Sequence, residues 1–126
     1  MVLPLILGSR TISSISFYMQ GEAAMPLTSE LSSDAKTKTI KLTGRFDFSA
    51  QQEFRDCYHG TTPDDGVKFV IDMASANYMD SSALGMLLMM REHLGGDAAK
   101  ISIIHCSPEI KNILNVANFQ TLFDIS

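Results

Sequence analysis

The fold of this chain is decided at residues 78–85, which read Tyr-Met-Asp-Ser-Ser-Ala-Leu-Gly. The apolar run from Val67 to Met73 comes before this stretch and is typical of a buried strand, whereas segment 84–94 after it is typical of a helix. One carboxylate and two hydroxyls therefore lie where a strand ends and a helix begins. Backbone N–H groups are unpaired at a helix N-terminus and carry partial positive charge, so a phosphate group is well accommodated there.

Strands and helices alternate on both sides of this stretch. Short segments rich in β-branched residues are separated by breakers and by longer segments with helical spacing of apolar residues, a pattern that predicts a mostly parallel sheet with crossover helices. The predicted strands are 37–43, 67–73, 101–105 and 122–125, with a weak edge strand within 28–38. The predicted helices are 49–60, 84–94 and 108–117. Ser49 is expected to cap the first of these helices and Ser107 the third.

Length and composition exclude several classes of protein. A chain of 126 residues is long enough for one domain and too short for two ordinary ones. A net charge of -4 with scattered lysines and arginines argues against binding to nucleic acid. The two cysteines, Cys57 and Cys106, form no CxxC pair and have no histidine at metal-ligand spacing. They are interpreted as reduced core thiols of a cytoplasmic protein, and neither a metal nor a cofactor is expected.

The first 24 residues do not continue this pattern. Apolar residues and serines alternate there without a helical or strand period, no basic stretch precedes the apolar opening, and no apolar run approaches the roughly 18 residues of a membrane span. We expect residues 1–24 to be a disordered extension or a wrongly assigned start, with Met19 or Met25 as the true initiator. The domain itself is expected over 25–126, with no insertion into a membrane.

Three stretches, taken together, resemble the STAS domains of anti-sigma factor antagonists. Residues 42–47 read Leu-Thr-Gly-Arg-Phe-Asp and are similar to the family's pattern at the end of the second strand. Residues 78–85 resemble its central signature, in which the serine just after the aspartate is phosphorylated. Residues 107–114 resemble a later helix, so the likeness runs from about Lys36 to the C-terminus. It implies an α/β STAS fold, a mixed and mostly parallel sheet with helices packed on it.

The chain departs from the family pattern at two points. Ala83 stands where glycine is usual, and because alanine is the better helix former we expect a firmer helix start. Family members often carry a further helix after the last strand, whereas this chain stops at Ser126, so we expect that helix to be missing or shortened.

The resemblance implies that Ser81 is the phosphorylation site, with Ser82 as the second candidate. The residues alone favour a helix N-cap for Ser81, and only the resemblance favours the phosphorylation site. Asp80 has two interpretations, a carboxylate favoured by the helix dipole or a group that orients the serine toward a kinase's ATP. Asp47 matches an acidic position near the family's partner site, and is equally well a turn residue before a helix.

Helical spacing divides the apolar residues after the signature into two stripes. One contains Leu84, Leu87 and Leu88, which we expect to face the sheet, and the other contains Met86 and Met90. We expect these two methionines to be partly exposed beside Ser81, where an apolar patch would mark a partner surface.

The expected function is that of an anti-sigma factor antagonist. Such a protein binds an anti-sigma factor with kinase activity while its serine is unmodified, is released by phosphorylation and is reset by a phosphatase that acts on phosphoserine. The alternative is a non-switching STAS subunit of a membrane transport complex, for example in lipid transport, or of a signalling complex. An enzyme is not expected, because the chain lacks a GxSxG nucleophile turn and the phosphate-binding loops GxxxxGK[ST] and GxGxxG.

Overall fold

The computed structural model describes residues 27–126, so the expectations for residues 1–24 and for a start at Met19 or Met25 lie outside the described residues. Within that range the strands and helices alternate as the sequence predicts. The strands are β1 (Leu27–Leu31), β2 (Thr37–Phe46), β3 (Lys68–Met79), β4 (Ile101–Ile104) and β5 (Asp124–Ile125), and the α-helices are α1 (Gln51–Tyr58), α2 (Ser81–His93) and α3 (Pro108–Val116).

The strands form one sheet in the order in which they occur along the chain, β1-β2-β3-β4-β5. β1 runs antiparallel to β2, and every later pair of neighbours is parallel. The predicted mixed and mostly parallel α/β sheet is therefore confirmed. In the part of the chain that the structure describes, which ends at Ser126, no α-helix follows β5.

The core lies on one face of the sheet. Side chains alternate along a strand, so Ile40 and Leu42 of β2 and Phe69, Ile71 and Met73 of β3 share this face and are almost completely buried. The helices cover them with their own apolar side chains, among them Phe54, Leu87, Met90 and Leu114. Burial of this continuous apolar layer supplies the main stabilisation of the fold.

β2 and β3 are both longer than the sequence predicts. Gly44 has a φ of 73°, a left-handed conformation outside the range of a regular strand, yet β2 continues to Phe46 with a register shift at this point. β3 continues through Ala-Ser-Ala-Asn, residues 74–77, because that segment pairs with the end of β2 after a register shift, up to the pair Phe46 and Met79. The pairing of β4 with β3 ends earlier, at Asp72 and Ile104. The ends of β2 and β3 therefore extend beyond β4 as a pair.

The caps of two helices show one correct prediction and one wrong one. Ser107 caps α3 as predicted, its Oγ accepting the N–H of Ile110 at 3.2 Å. Ser49 is not the cap before α1, because Asp47 caps the short 3-10 helix Phe48–Ala50 that precedes it. Asp47 accepts both donors of Ser49, so the serine acts as a donor there and not as the capping acceptor.

Candidate partner-binding site at two strand ends

Two turns of the same sequence pattern lie side by side at the ends of β2 and β3. Phe46 and Met79, the last residues of these strands, are paired in register. Each is followed by Asp-x-Ser, namely Asp47-Phe48-Ser49 after β2 and Asp80-Ser81-Ser82 after β3. Adjacent parallel strands end at the same edge of a sheet, so the fold brings the two aspartates together.

Asp80 is the N-cap of α2. Its Oδ1 accepts the N–H of Ser82 at 3.1 Å, the hydroxyl of Ser82 at 2.6 Å and the N–H of Ala83 at 3.2 Å. These bonds favour the ionised carboxylate, the bond from the Ser82 hydroxyl most of all, and they hold the pKa of Asp80 below its usual value. The capping interpretation of Asp80 is confirmed, whereas its action on a kinase stays a prediction.

Ser81 and Ser82 differ in what their hydroxyls contact. Ser82 is half-buried and its hydroxyl donates to Asp80. Ser81 is exposed at the first position of α2, and its hydroxyl has no hydrogen bond within residues 27–126. The interpretation of Ser81 as the cap is wrong, because Asp80 fills that position. Among the described residues, the hydroxyl of Ser81 is therefore exposed and engaged by no other group, whereas that of Ser82 is already bonded.

The Asp47 turn repeats this geometry and adds a cation. Asp47 Oδ1 accepts the N–H of Ser49 at 3.0 Å and its hydroxyl at 2.6 Å, and Oδ2 accepts Arg45 Nε at 3.2 Å. The bonds from Ser49, with that from Arg45, lower the pKa of Asp47. The guanidinium of Arg45 also lies 4.1 Å from the ring centroid of Tyr78 on the neighbouring strand. Asp47 is close enough to Asp80 for its charge to act against the ionisation of that residue.

The expectation that Met86 and Met90 are exposed is wrong. Met86 is 5% exposed and Met90 is fully buried, whereas Leu88 is 39% exposed. The face of α2 that meets the sheet is a continuous helical stripe, Ala83, Met86, Leu87 and Met90, and the buried Leu94 follows just after the helix. Leucine and methionine are both apolar, so residue type alone does not decide which stripe faces inward. The buried stripe combines the two methionines with Leu87 and the small Ala83.

The structure exposes other apolar side chains on this surface. One line of exposed residues follows α2 at helical spacing, Ser81, Gly85, Leu88, Met89 and Glu92, and His93 is also exposed at the end of the helix. Met89 is 58% exposed, and Phe48, in the turn beside Ser81, is 62% exposed. The sequence does not single out Phe48 or Met89, and the expectation that Leu88 faces the sheet is wrong. The repeated Asp-x-Ser pattern could have indicated that Phe48 is exposed, because it places Phe48 and Ser81 at the same position of two equivalent turns. We call Ser81, Gly85, Leu88, Met89 and Phe48 together the Ser81 surface.

Other polar groups of the described residues do not join this site. His105 Nδ1 lies 2.9 Å from Asp72 Oδ1, on the sheet face opposite the core and near the end of the β3–β4 pairing. Burial of Asp72 works against its ionisation, but the N–H of Ala74 and the imidazole of His105 lower its pKa. Over residues 27–126, no group of three or more His, Cys, Asp or Glu side chains has an arrangement that would hold a metal ion, and no helix is long and apolar enough to span a membrane.

Comparisons with known proteins agree with this architecture. The family model described as "Mlab, STAS domain" matches residues 29–124. The "STAS-domain containing protein PA14_20770" of Pseudomonas aeruginosa (strain UCBPP-PA14) is 49% identical over 104 residues, which are 81% of this chain and 100% of that protein.

Solved structures share the fold at low identity. The anti-sigma factor antagonist SpoIIAA in its unphosphorylated form matches with a TM-score of 0.62 at 21% identity, over 79% of this chain and 86% of that one. SpoIIAA of Bacillus in its phosphorylated form gives a TM-score of 0.62 at 19% identity, over 79% of this chain and 90% of that one. A sulfate transporter family protein from Wolinella succinogenes gives 0.58 at 15% identity, over 72% of this chain and 79% of that one. The chain belongs to the STAS domain family.

Proposed function

We propose that this protein is an anti-sigma factor antagonist whose binding is switched by phosphorylation of Ser81. The observation that carries the proposal is the state of the Ser81 hydroxyl, which is exposed at the start of α2 while the adjacent Ser82 hydroxyl is held by Asp80. A kinase needs a hydroxyl that it can reach and deprotonate. Ser81 meets this need, and Ser82 meets it only after the bond to Asp80 is broken.

The partner binds the Ser81 surface while Ser81 is unmodified. Phe48, Leu88 and Met89 give this surface apolar area that burial in a complex would stabilise. The anti-sigma factor covers these side chains and brings its own surface close to Ser81.

Phosphorylation weakens this contact by charge. It adds roughly -1.5 to -2 charges and three acceptor oxygens to a surface that already contains Asp47 and Asp80. A partner surface matched to apolar side chains would have to desolvate the phosphate, and an acidic one would be repelled by it; either costs several kcal/mol at an interface. The switch therefore works without a large movement of the STAS domain.

The chain itself catalyses nothing in this proposal. The anti-sigma factor supplies the kinase activity and the ATP, and a separate phosphatase removes the phosphate from Ser81. The complex forms in the cytoplasm. Whether the sigma factor is released or captured depends on which protein the anti-sigma factor is bound to.

A pull-down from the native host tests the proposal, with wild type, Ser81→Ala, Ser81→Asp and Ser82→Ala as baits and mass spectrometry as the readout. We expect a kinase-like anti-sigma factor with wild type, Ser81→Ala and Ser82→Ala, and its loss with Ser81→Asp. Phosphate is expected on Ser81 in the wild type and in Ser82→Ala. Equal recovery by Ser81→Asp and wild type, or phosphate on Ser82 alone, contradicts the proposal.

A non-switching subunit of a transport complex is the second candidate. It is favoured by the Mlab description of the matching family model. The same baits separate the two candidates, because a transport subunit would recover the same membrane-transport proteins whatever stands at position 81. That result would leave Ser81 without a regulatory role.

A further inference from the structure

Arg45 contacts the Asp47 turn and the strand that leads into the Ser81 turn. Its Nε donates to Asp47 Oδ2, its guanidinium lies on the ring of Tyr78, and its side chain is 62% exposed. Arg45 pairs in register with Tyr78, three residues before Ser81. The guanidinium has thus already crossed from its own strand to the strand that leads into Ser81.

Neither present contact of Arg45 is needed to hold the turn. Asp47 keeps both bonds from Ser49, at 3.0 and 2.6 Å on Oδ1, if Arg45 leaves Oδ2. An ion pair and a cation–π contact at an exposed site are each weak, because water screens the charge. Arg45 can therefore reorient at low cost.

A phosphate on Ser81 would be a better acceptor for this guanidinium. A phosphoserine dianion has about twice the charge of a carboxylate and three acceptor oxygens, and arginine binds phosphate through two parallel N–H bonds. The phosphate would also stand next to Asp80 and near Asp47, two carboxylates with which it cannot pair. Arg45 would relieve this accumulation of negative charge.

We propose that Arg45 is the residue that binds the phosphate on Ser81, exchanging Asp47 and the ring of Tyr78 for the phosphate oxygens. The proposal rests on the proposed function only in taking Ser81 as the modified residue. Phosphorylation then changes more than the charge at one position: it uncovers the Tyr78 ring and leaves Asp47 without its cation. The modified and unmodified surfaces differ at the ends of both β2 and β3.

The test uses full-length protein with phosphoserine incorporated at position 81 during synthesis, so that neither kinase nor partner is required. The second pKa of the phosphate is measured by phosphorus NMR titration in the wild-type background, in Arg45→Gln and in Arg55→Gln. Arg55 is an exposed arginine of α1 and provides the matched loss of one positive charge. We expect Arg45→Gln to raise the phosphate pKa by about 0.15–0.7 pH unit, the range for loss of one exposed ion pair, and Arg55→Gln to shift it much less.

A second readout follows the ring resonances of Tyr78. In the wild-type background they are expected to shift on phosphorylation as the guanidinium leaves, and in Arg45→Gln, which has no guanidinium to leave the ring, the shift is expected to be much smaller. Equal phosphate pKa values in Arg45→Gln and Arg55→Gln overturn the inference, as does a Tyr78 ring that does not respond in the wild-type background. Neither result bears on whether a host kinase modifies Ser81, which the pull-down decides separately.

Discussion

Asp47 and Asp80 stabilise the segments that follow β2 and β3 in the same way, each accepting both the N–H and the hydroxyl of the serine two residues later. The residue between aspartate and serine is left outside this set of bonds in both turns. That residue is Phe48 in one turn and Ser81 in the other, and both are exposed. The site is therefore built from one local motif used twice on neighbouring strands.

Replacing Asp80 separates its capping role from its charge. Asp80→Ala removes the acceptor of three donors at the start of α2, so we expect the Tm to fall by several degrees. Asparagine is an equally good N-cap, so Asp80→Asn is expected to keep most of that stability. If Asp80 also orients Ser81, Asp80→Asn loses phosphorylation while it stays folded. Thermal unfolding and a phosphorylation assay on both variants measure this, and an unchanged Tm in Asp80→Ala would refute the cap.

Acid is expected to weaken the fold through these two aspartates. Their pKa values in the folded protein lie below the ordinary value of 3.8, so their contribution to stability is complete above pH 3.8 and is lost as the pH falls through the folded pKa values. The double variant Asp47→Asn/Asp80→Asn should lose less stability than the wild type on acidification below pH 3.8. Urea unfolding between pH 2 and 5 measures the slope, with Asp124→Asn as control, a residue on the edge strand β5. A double variant as acid-sensitive as the wild type would contradict the prediction.

Met89 and Met90 are adjacent in sequence, but substitution is expected to affect partner binding at Met89 and stability at Met90. Met90 is fully buried, so Met90→Ala should lower the free energy of unfolding by about 2–5 kcal/mol. Met89 is 58% exposed, so Met89→Ala should change stability by less than about 0.5 kcal/mol and weaken partner binding. Urea unfolding and the partner's Kd are the two measurements. Unchanged affinity in Met89→Ala would remove Met89 from the Ser81 surface.

Gly85 is expected to make α2 less stable than alanine at the same position would. A Cβ added to Gly85 meets nothing within 4 Å, and glycine within a helix is less stable than alanine by about 0.5–1 kcal/mol. Gly85→Ala should therefore raise the free energy of unfolding by that amount. Unfolding in urea is the measurement, and a decrease would show that the helix surface at Gly85 is in contact with other atoms.

The order of the elements and the position of Ser81 were predictable from the sequence because they depend on local signals. Serine before proline marks the start of α3, and Asp-Ser-Ser before an apolar segment marks the start of α2. The inward face of α2 was not predictable, because both of its candidate stripes are apolar and only packing against the sheet chooses between them. The full lengths of β2 and β3 were also missed, because the small and polar residues 74–77 form a strand only through their pairing with β2.

The sequential order of the sheet has a consequence for how the chain is made. Each strand pairs with the one synthesised just before it, so the sheet can grow strand by strand as the chain leaves the ribosome, without waiting for a distant segment. The residues of β2, β3 and α2 are all synthesised before those of β4 and β5. The two Asp-x-Ser turns therefore belong to the part of the domain that is able to form first.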